Sequence, residues 1–357
     1  MLFYLIVAIF TTCAYFFAEN SKKRLTFCFF FIIFLLIPSL VEGLRDWNVG
    51  DDMYTYGRAY FIEAQQYNSL VKYISELDDK EYGYRILNYL ASRLGNINIF
   101  LFLCAFIKIL LVGLTALHFK KNGSMVLFIL SYMLIFYWYG FSLMRQSLSL
   151  CISLYSLIYL FEKKYVYFAF IVVIAYLFHN SGVFLLMLAG IPLLSNFQKK
   201  NWIFLISILI VYLSSVTLFS FIAASGLFAE RMASQYMNSG VSTAKANLLL
   251  VLWFILTPYF IKNQYKELKF IHYYSSFLTL LFLSLANMFE VAFRVSFYPM
   301  LLALITEPTL LNLCKNGTRK KLAQIIYVLL LGAFIYAQSN HDNMAGAIPY
   351  KSSIIGI

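Results

Sequence analysis

Charged side chains are scarce in this sequence: they make up 12% of 357 residues, and only 16 residues are Asp or Glu. A soluble domain carries about twice that fraction of charge. The chain is instead 62% hydrophobic, with a mean hydropathy of +0.76. Lipid must therefore be the solvent for most of the chain, which excludes a soluble enzyme or a soluble binding domain.

Cysteine pairs and known catalytic motifs are also missing. The five cysteines lie in or beside apolar runs without a CxxC pair, so neither disulfides nor a structural metal are expected. The sequence contains no HExxH, GxSxG, Walker or kinase motif, which excludes those catalytic classes, and no cofactor is expected. No internal repeat divides the chain, so residues 1–357 are interpreted as a single polytopic membrane domain.

Long apolar runs follow one another along the chain. A transmembrane helix needs about 20 apolar residues. The predicted spans cover residues 2–18, 25–41, 98–118, 124–140, 146–161, 165–178, 182–195, 202–222, 248–262, 270–289, 294–312 and 322–338. The first run lacks a basic leader and a clear cleavage site, so it is interpreted as a retained helix. We therefore predict an all-α integral membrane protein with about 12 transmembrane helices.

The formal net charge of +12 reports topology rather than nucleic-acid binding. Lysine and arginine gather in every second connection, where the positive-inside rule places the cytoplasm. They are Lys22, Lys23, Arg24, Lys120, Lys121, Lys163, Lys164, Lys199, Lys200, Lys262, Lys266, Lys269, Lys315, Arg319, Lys320 and Lys321. Both termini are then predicted to be periplasmic, and a nucleic-acid partner is excluded.

The opposite, periplasmic face carries the longer connections. The larger one, residues 42–97, is a mixed-charge loop, and a smaller one covers residues 223–247. Within the larger loop, Tyr82, Ile86, Tyr89 and Leu90 recur at helical spacing. This spacing predicts an amphipathic helix that lies against the outer membrane interface.

Polar residues crowd the first part of this loop. Arg45, Asp46, Asp51, Asp52 and Tyr56 follow the second span closely. Charges this near to the hydrocarbon edge are costly unless they are paired or face water, so they indicate a substrate site. An interfacial loop with aromatic anchors is the alternative. Adjacent carboxylates suit a hard cation, but two neighbours rarely suffice, and no metal is expected.

Two charged pairs have a spacing of four residues. Glu81 and Arg85 lie on the predicted amphipathic helix, where they either stabilise the helix or face a substrate. Glu290 and Arg294 lie at the outer junction of the tenth and eleventh spans. They form either a buried structural pair or a second cationic contact in the same compartment.

Two further positions lie at the outer ends of spans. Arg145 and Gln146 begin the fifth span, and a guanidinium suits phosphate oxygens, although an arginine that snorkels to the interface is the alternative. His179 occupies the outer turn after the sixth span, as a general base or as a hydrogen-bonded turn residue. Among charged residues, only Lys108 falls well inside a predicted span.

The order of these motifs resembles the EpsG family of bacterial polysaccharide polymerases, which are Wzy-type proteins acting on O-antigen and exopolysaccharide units. The resemblance covers roughly residues 40–300. It is carried by Arg45, Val49-Gly50, Asp52, Tyr56, Glu81, Arg145-Gln146, His179, Ser181-Gly182 and Arg294. One departure is Asp51, where the family pattern leads us to expect a small polar residue such as threonine.

The resemblance implies a glycosyltransferase in the bacterial inner membrane with its site facing the periplasm. The growing glycan would move from undecaprenyl diphosphate to the next undecaprenyl-diphosphate-linked unit, without a metal. His179, Asp52 and Arg145 would be catalytic, with His179 favoured over Asp52 as the base. The other polar residues named above would bind substrate. A chain-length regulator protein is an implied partner, beside the lipid bilayer itself.

Three alternatives remain open at this stage. A flippase for lipid-linked oligosaccharides would favour repeated halves and broken helices near the membrane midplane, whereas these polar residues gather at one face. A glycan ligase would use the same donor with another acceptor. A membrane acyltransferase would need a paired catalytic motif, which the sequence does not show.

Overall fold

The computed structural model describes residues 1–77, 81–191, 244–261, 265–286, 290–314, 317–341 and 346–357, together with Ile206, Ile210 and Ser214. The predicted span over 202–222 and the predicted loop over 223–247 therefore lie almost entirely outside the described residues. The chain divides into two compact units. Unit 1 comprises Met1–Val183 and Gln338–Ile357, and unit 2 comprises Phe184–Ala337.

The described residues are built from α-helices joined by short 3-10 turns. The first nine are α1 Leu2–Asn20, α2 Arg24–Gly43, α3 Arg58–Gln65, α4 Leu70–Ser75, α5 Tyr82–Ser92, α6 Ile97–Phe119, α7 Val126–Ile135, α8 Met144–Phe161 and α9 Tyr165–Phe178. Four more follow: α10 Ala244–Leu256, α11 Lys266–Ala286, α12 Glu290–Asn312 and α13 Gly317–His341. The all-helical prediction is confirmed for these residues.

Several of these helices suit a membrane by their length and composition. In the described part of the chain, five are long and apolar enough to cross it: Leu2–Asn20, Arg24–Gly43, Ile97–Asn122, Lys266–Ala286 and Gly317–Asn340. Shorter apolar helices cover Val126–Ile135, Tyr165–Phe178, Asn180–Ala189 and Asn247–Phe260. The protein is therefore a multi-pass membrane protein, while the count of 12 spans stays a prediction.

Two predicted spans differ from the helices observed. The run over 124–140 is not one helix, because α7 ends at Ile135 and a 3-10 turn follows over Trp138–Phe141. Residues 180–189 form a 3-10 helix rather than an α-helix. Hydropathy alone cannot detect the first break, because residues 136–141, which follow α7, are as apolar and aromatic as the helix itself.

The long loop, residues 42–97, contains three helices, α3, α4 and α5, and packs against α6, α8 and α9 of unit 1. The helix predicted over 81–90 is present as α5, and its buried face includes Tyr84, Asn88 and Tyr89. Met53 and Tyr84 join a buried cluster with Phe100 of α6 and Met144 of α8. This packing holds α5 next to the start of α8.

The last described segment, residues 346–357, binds back onto the beginning of this loop. The Tyr350 ring stacks on Phe3 at a centroid distance of 4.4 Å, and its hydroxyl donates to the carbonyl of Val41 at 2.9 Å. Tyr4 donates to the carbonyl of Ala347 at 2.7 Å. The start of α1, the end of α2 and this C-terminal segment therefore lie together in unit 1.

Candidate functional site

One carboxylate joins two residues that the sequence assigns to catalysis. Glu81 lies at the N-terminal end of α5 with a side chain that is only 4% exposed. Its Oε2 accepts a hydrogen bond from Nη1 of Arg145 at 2.5 Å, and its Oε1 lies 2.6 Å from Nδ1 of His179. We call these three residues the outer triad. The charged hydrogen bonds fix the guanidinium and the imidazole relative to each other.

Arg145 enters the outer triad from the first turn of α8. Its guanidinium carbon lies 3.4 Å from the centroid of the Tyr56 ring, a close cation–π contact. The side chain is 15% exposed, so part of it reaches the surface of the protein. Because α8 begins at Met144, the positive end of its helix dipole lies beside this cation. The region thus suits an anionic group.

His179 enters from the end of α9, where its extended backbone stops the helix. The next residues turn back, and the amide of Gly182 donates to the carbonyl of His179 at 2.8 Å. Glu81 faces Nδ1, and the side chain is 19% exposed. A carboxylate at Nδ1 holds the proton there, which leaves Nε2 as a proton acceptor.

Glu81 stays ionised in this setting. Burial disfavours the charged carboxylate, but the hydrogen bond with His179 and the positive charge of Arg145 outweigh it, so the pKa of Glu81 lies below its ordinary value. A negative charge between the imidazole and the guanidinium is therefore a stable feature of the site.

Aromatic rings connect the outer triad to a second arginine. The Tyr56 ring meets Tyr60 edge-on at 5.7 Å, and the guanidinium of Arg85 lies 3.4 Å from the centroid of Tyr60. Arg85 also donates to Glu63 at 2.8 Å and to the hydroxyl of Tyr73 at 3.2 Å. The predicted substrate-binding residues Tyr56, Glu81 and Arg85 therefore lie in one layer of the long loop.

The polar residues at the start of the loop make structural contacts. Arg45 is fully buried, and its Nη1 donates to the carbonyl of Phe141 at 2.7 Å. The Asp46 carboxylate accepts from the amide and the hydroxyl of Ser353, at 2.7 and 2.9 Å. Both residues were predicted to bind substrate, and both are used here to join segments of unit 1.

Asp51 and Asp52 form a 3-10 turn that leads to Tyr56. Asp51 is exposed, and its amide donates to the Ser142 hydroxyl at 3.0 Å. Asp52 is partly buried, and its carbonyl accepts from the amide of Tyr56 at 2.8 Å. The turn thereby sets the ring that covers Arg145. Within the described ranges, no group of three or more His, Cys, Asp or Glu is arranged to hold a metal ion.

The remaining predicted site residues are spread over both units. Gln146 lies beside Arg145 in unit 1 and is 2% exposed. Arg294 is a partly exposed residue of α12 in unit 2, and Glu290 is the first residue of that helix, with a side chain outside the described residues.

Sequence reasoning missed a buried ion pair elsewhere in unit 1. Nζ of Lys108 donates to both carboxylate oxygens of Glu42, at 2.7 and 2.9 Å, and the two side chains are 2% and 0% exposed. The lysine inside an apolar run was the available signal. Its partner follows the second span, 66 positions earlier, which no local pattern indicates.

A second buried polar cluster lies in unit 2. Oε1 of Glu307 accepts from Trp253 Nε1 at 2.7 Å and from Thr257 Oγ1 at 2.9 Å, and its Oε2 lies 3.3 Å from Nε2 of His272. His272 Nδ1 also lies 2.7 Å from the hydroxyl of Thr306. These contacts join α10, α11 and α12 inside the unit.

The family comparison agrees with the resemblance in the sequence. A model of the EpsG family matches residues 28–352, which is nearly the whole chain. No curated protein and no solved structure matches the chain. The family match and the apolar helices lead to the same conclusion: the chain belongs to the EpsG family and is a membrane protein of polysaccharide biosynthesis.

Proposed function

We propose that this protein is a polysaccharide polymerase of the bacterial inner membrane with its site on the periplasmic face. It transfers the growing glycan from undecaprenyl diphosphate to a hydroxyl of the next undecaprenyl-diphosphate-linked repeat unit. The observation that supports this most is the outer triad, in which a single carboxylate holds an imidazole and a guanidinium. A base and a fixed cation side by side suit glycosyl transfer from a diphosphate.

The imidazole supplies the base. Nε2 of His179 takes the proton from the acceptor hydroxyl as that oxygen bonds to the anomeric carbon of the donor. Glu81 at Nδ1 stabilises the imidazolium that forms, as a carboxylate does in other carboxylate–histidine pairs. His179 is therefore the stronger candidate for the base, and Asp52 shapes the turn that carries Tyr56.

The guanidinium stabilises the leaving group. The bond between the anomeric carbon and the phosphate oxygen breaks, and its electron pair leaves with undecaprenyl diphosphate. Arg145, at the start of α8, stabilises that charge together with the dipole of the helix. The cation is supplied by the protein, so the proposed reaction is independent of metal. Cleavage of the sugar–phosphate bond drives the transfer, because the periplasm offers no ATP.

The experiment compares glycan ladders from cells that lack the gene and from cells complemented with wild type, Arg145→Ala or Arg24→Ala. Arg24 is an exposed arginine at the start of α2 and serves as the matched control. We expect surface lipid capped by a single repeat unit in the deletion and in Arg145→Ala, at a normal protein level. Wild type and Arg24→Ala should both restore the ladder.

Other outcomes point to other functions. If the deletion loses even the single repeat unit, the protein acts earlier or later than polymerisation, as a flippase or a ligase. If Arg145→Ala makes long chains at the wild-type rate, the guanidinium takes no part in the reaction.

A further inference from the structure

The residues just before Arg145 are the end of the connection between α7 and α8, together with Met144, the first residue of α8. They run from Gly140 to Met144, and we call this segment the 140–144 turn. Its carbonyls at 140 and 141 have left the helical pattern and point to side chains from other parts of unit 1. Because Arg145 follows directly, the position of the turn sets the position of the guanidinium.

Two buried cations hold these carbonyls. Nζ of Lys108 in α6 lies 3.4 Å from the carbonyl oxygen of Gly140, and Nη1 of Arg45 lies 2.7 Å from that of Phe141. A Cβ atom on Gly140 would overlap Nζ of Lys108, so the absence of a side chain there is what admits the ammonium. Nη2 of Arg45 also approaches the Met144 sulfur at 3.6 Å.

Glu42 fixes the ammonium of Lys108 in this place. The two hydrogen bonds to its carboxylate leave one of the three ammonium protons for the turn. A fully buried ion pair contributes little net stability, and an apolar pair of similar size is often as stable. Charges in such a place therefore indicate a function rather than a need for stability.

We propose that Lys108, oriented by Glu42, is a positioning residue that sets the place of Arg145 through the 140–144 turn. The expected effect on catalysis rests on the proposed function. The expected effect on the position of Arg145 does not. The Lys108 side chain is only 2% exposed and holds the carbonyl of Gly140, and the turn places the guanidinium against Glu81 and Tyr56.

The test uses the full-length protein in detergent and in liposomes. The main variant combines Lys108→Met with Glu42→Gln, which removes both members of the ion pair together, so that neither is left as a buried charge without the other. Gly140→Ala is the second variant, because it displaces the ammonium while both charges remain. Lys164→Met is the matched control, since Lys164 pairs with Glu162 at 2.8 Å on the surface.

The first measurement is the labelling of Arg145 by phenylglyoxal, quantified by mass spectrometry. We expect labelling to rise about three-fold or more in the double variant and in Gly140→Ala, and to stay unchanged in Lys164→Met. The second measurement is polymerisation kinetics, in which kcat should fall about ten-fold or more while KM changes less than about three-fold. In an Arg145→Lys background, the same double change should lower kcat much less than it does in wild type, because both changes act through the position of the Arg145 guanidinium.

The outcomes separate the two proposals. Wild-type labelling of Arg145 in both variants would overturn the positioning role, whatever the activity. Wild-type kcat in the double variant would also overturn it. So would an equal fold loss of kcat from the double change in the wild-type and Arg145→Lys backgrounds. If the wild-type protein forms no polymer from lipid-linked units, the proposed function fails, and the labelling alone decides the role of Lys108.

Discussion

Nδ1 of His179 lies 2.6 Å from Oε1 of Glu81, although 98 positions separate the two residues. The second oxygen of the same carboxylate accepts from Arg145. Glu81 is thus the member of the outer triad that fixes the other two. This gives it a role distinct from the substrate binding that its sequence motif suggests.

Replacing Glu81 by Gln should abolish most of the activity. The amide keeps the shape of the side chain but loses the charge that holds the imidazole and the guanidinium. We expect polymerisation to fall about 10²-fold or more, in kcat rather than in KM. Glycan ladders and initial rates in liposomes measure the effect.

Glu76→Gln is the control for this change. Glu76 is an exposed carboxylate of the same loop that accepts from the Tyr67 hydroxyl at 2.7 Å. It should keep wild-type rates. Equal activity in wild type and Glu81→Gln would show that the triad is not part of the reaction.

The stability of the protein should respond to acid through Glu81. Its pKa is lower in the folded state than the ordinary value of 4.5, because the contacts with His179 and Arg145 outweigh the effect of burial. Its contribution to folding is therefore complete above pH 4.5 and is lost as the pH falls through the folded-state pKa. Melting temperatures in detergent should be higher for wild type than for Glu81→Gln at pH 5. The gap should narrow at lower pH, and a gap that widens in acid would contradict this assignment.

His179 and Asp52 can be separated as candidates for the base. His179→Ala should lower kcat by about 10²- to 10⁴-fold, the range expected for loss of a general base. Asp52→Asn should lower kcat less than about ten-fold, because it keeps the backbone carbonyl of Asp52, which accepts from the amide of Tyr56. Rates for both purified variants, beside their melting temperatures, decide the matter. The opposite order would assign the base to Asp52.

Gly50 should tolerate no side chain. Its φ is +100°, and a Cβ there would overlap the carbonyl oxygen of Phe141, the same atom that Arg45 holds. Gly50→Ala should cost about 3 kcal/mol or more of unfolding free energy. Gly95→Ala is the control, because Gly95 has a φ of +74° with open space around it and should cost only about 1 kcal/mol. Unfolding in detergent compares them, and equal losses would show that the overlap is relieved.

The sequence predicted the helices well where one physical signal decides. Apolar length alone located α1, α2 and α6, and helical spacing located α5 inside the long loop. It failed at the break after Ile135, because an apolar run remains apolar when its helix ends. Lys108 and Arg45, which contact the carbonyls of Gly140 and Phe141 in that connection, are distant in sequence.

The candidate site was predicted in its residue types and only partly in its geometry. Arg145, His179 and Glu81 were all selected, but the Glu81 partner considered from spacing was Arg85. Arg85 instead takes part in a layer with Tyr60 and Glu63. Spacing along one helix reports local neighbours, whereas the triad is assembled by tertiary packing.

The contacts of residues 346–357 with the long loop can form only late in the synthesis of the chain. Asp46 obtains its partner Ser353 only after 307 further positions have been synthesised, and the whole of unit 2 lies between them. For most of its synthesis, the nascent chain therefore contains α1, α2 and the long loop without the contact between Asp46 and Ser353. Unit 1 is complete only after unit 2 has been synthesised. A chain that is truncated shortly before Ser353 would therefore contain every residue of the outer triad but lack the contact between Asp46 and Ser353.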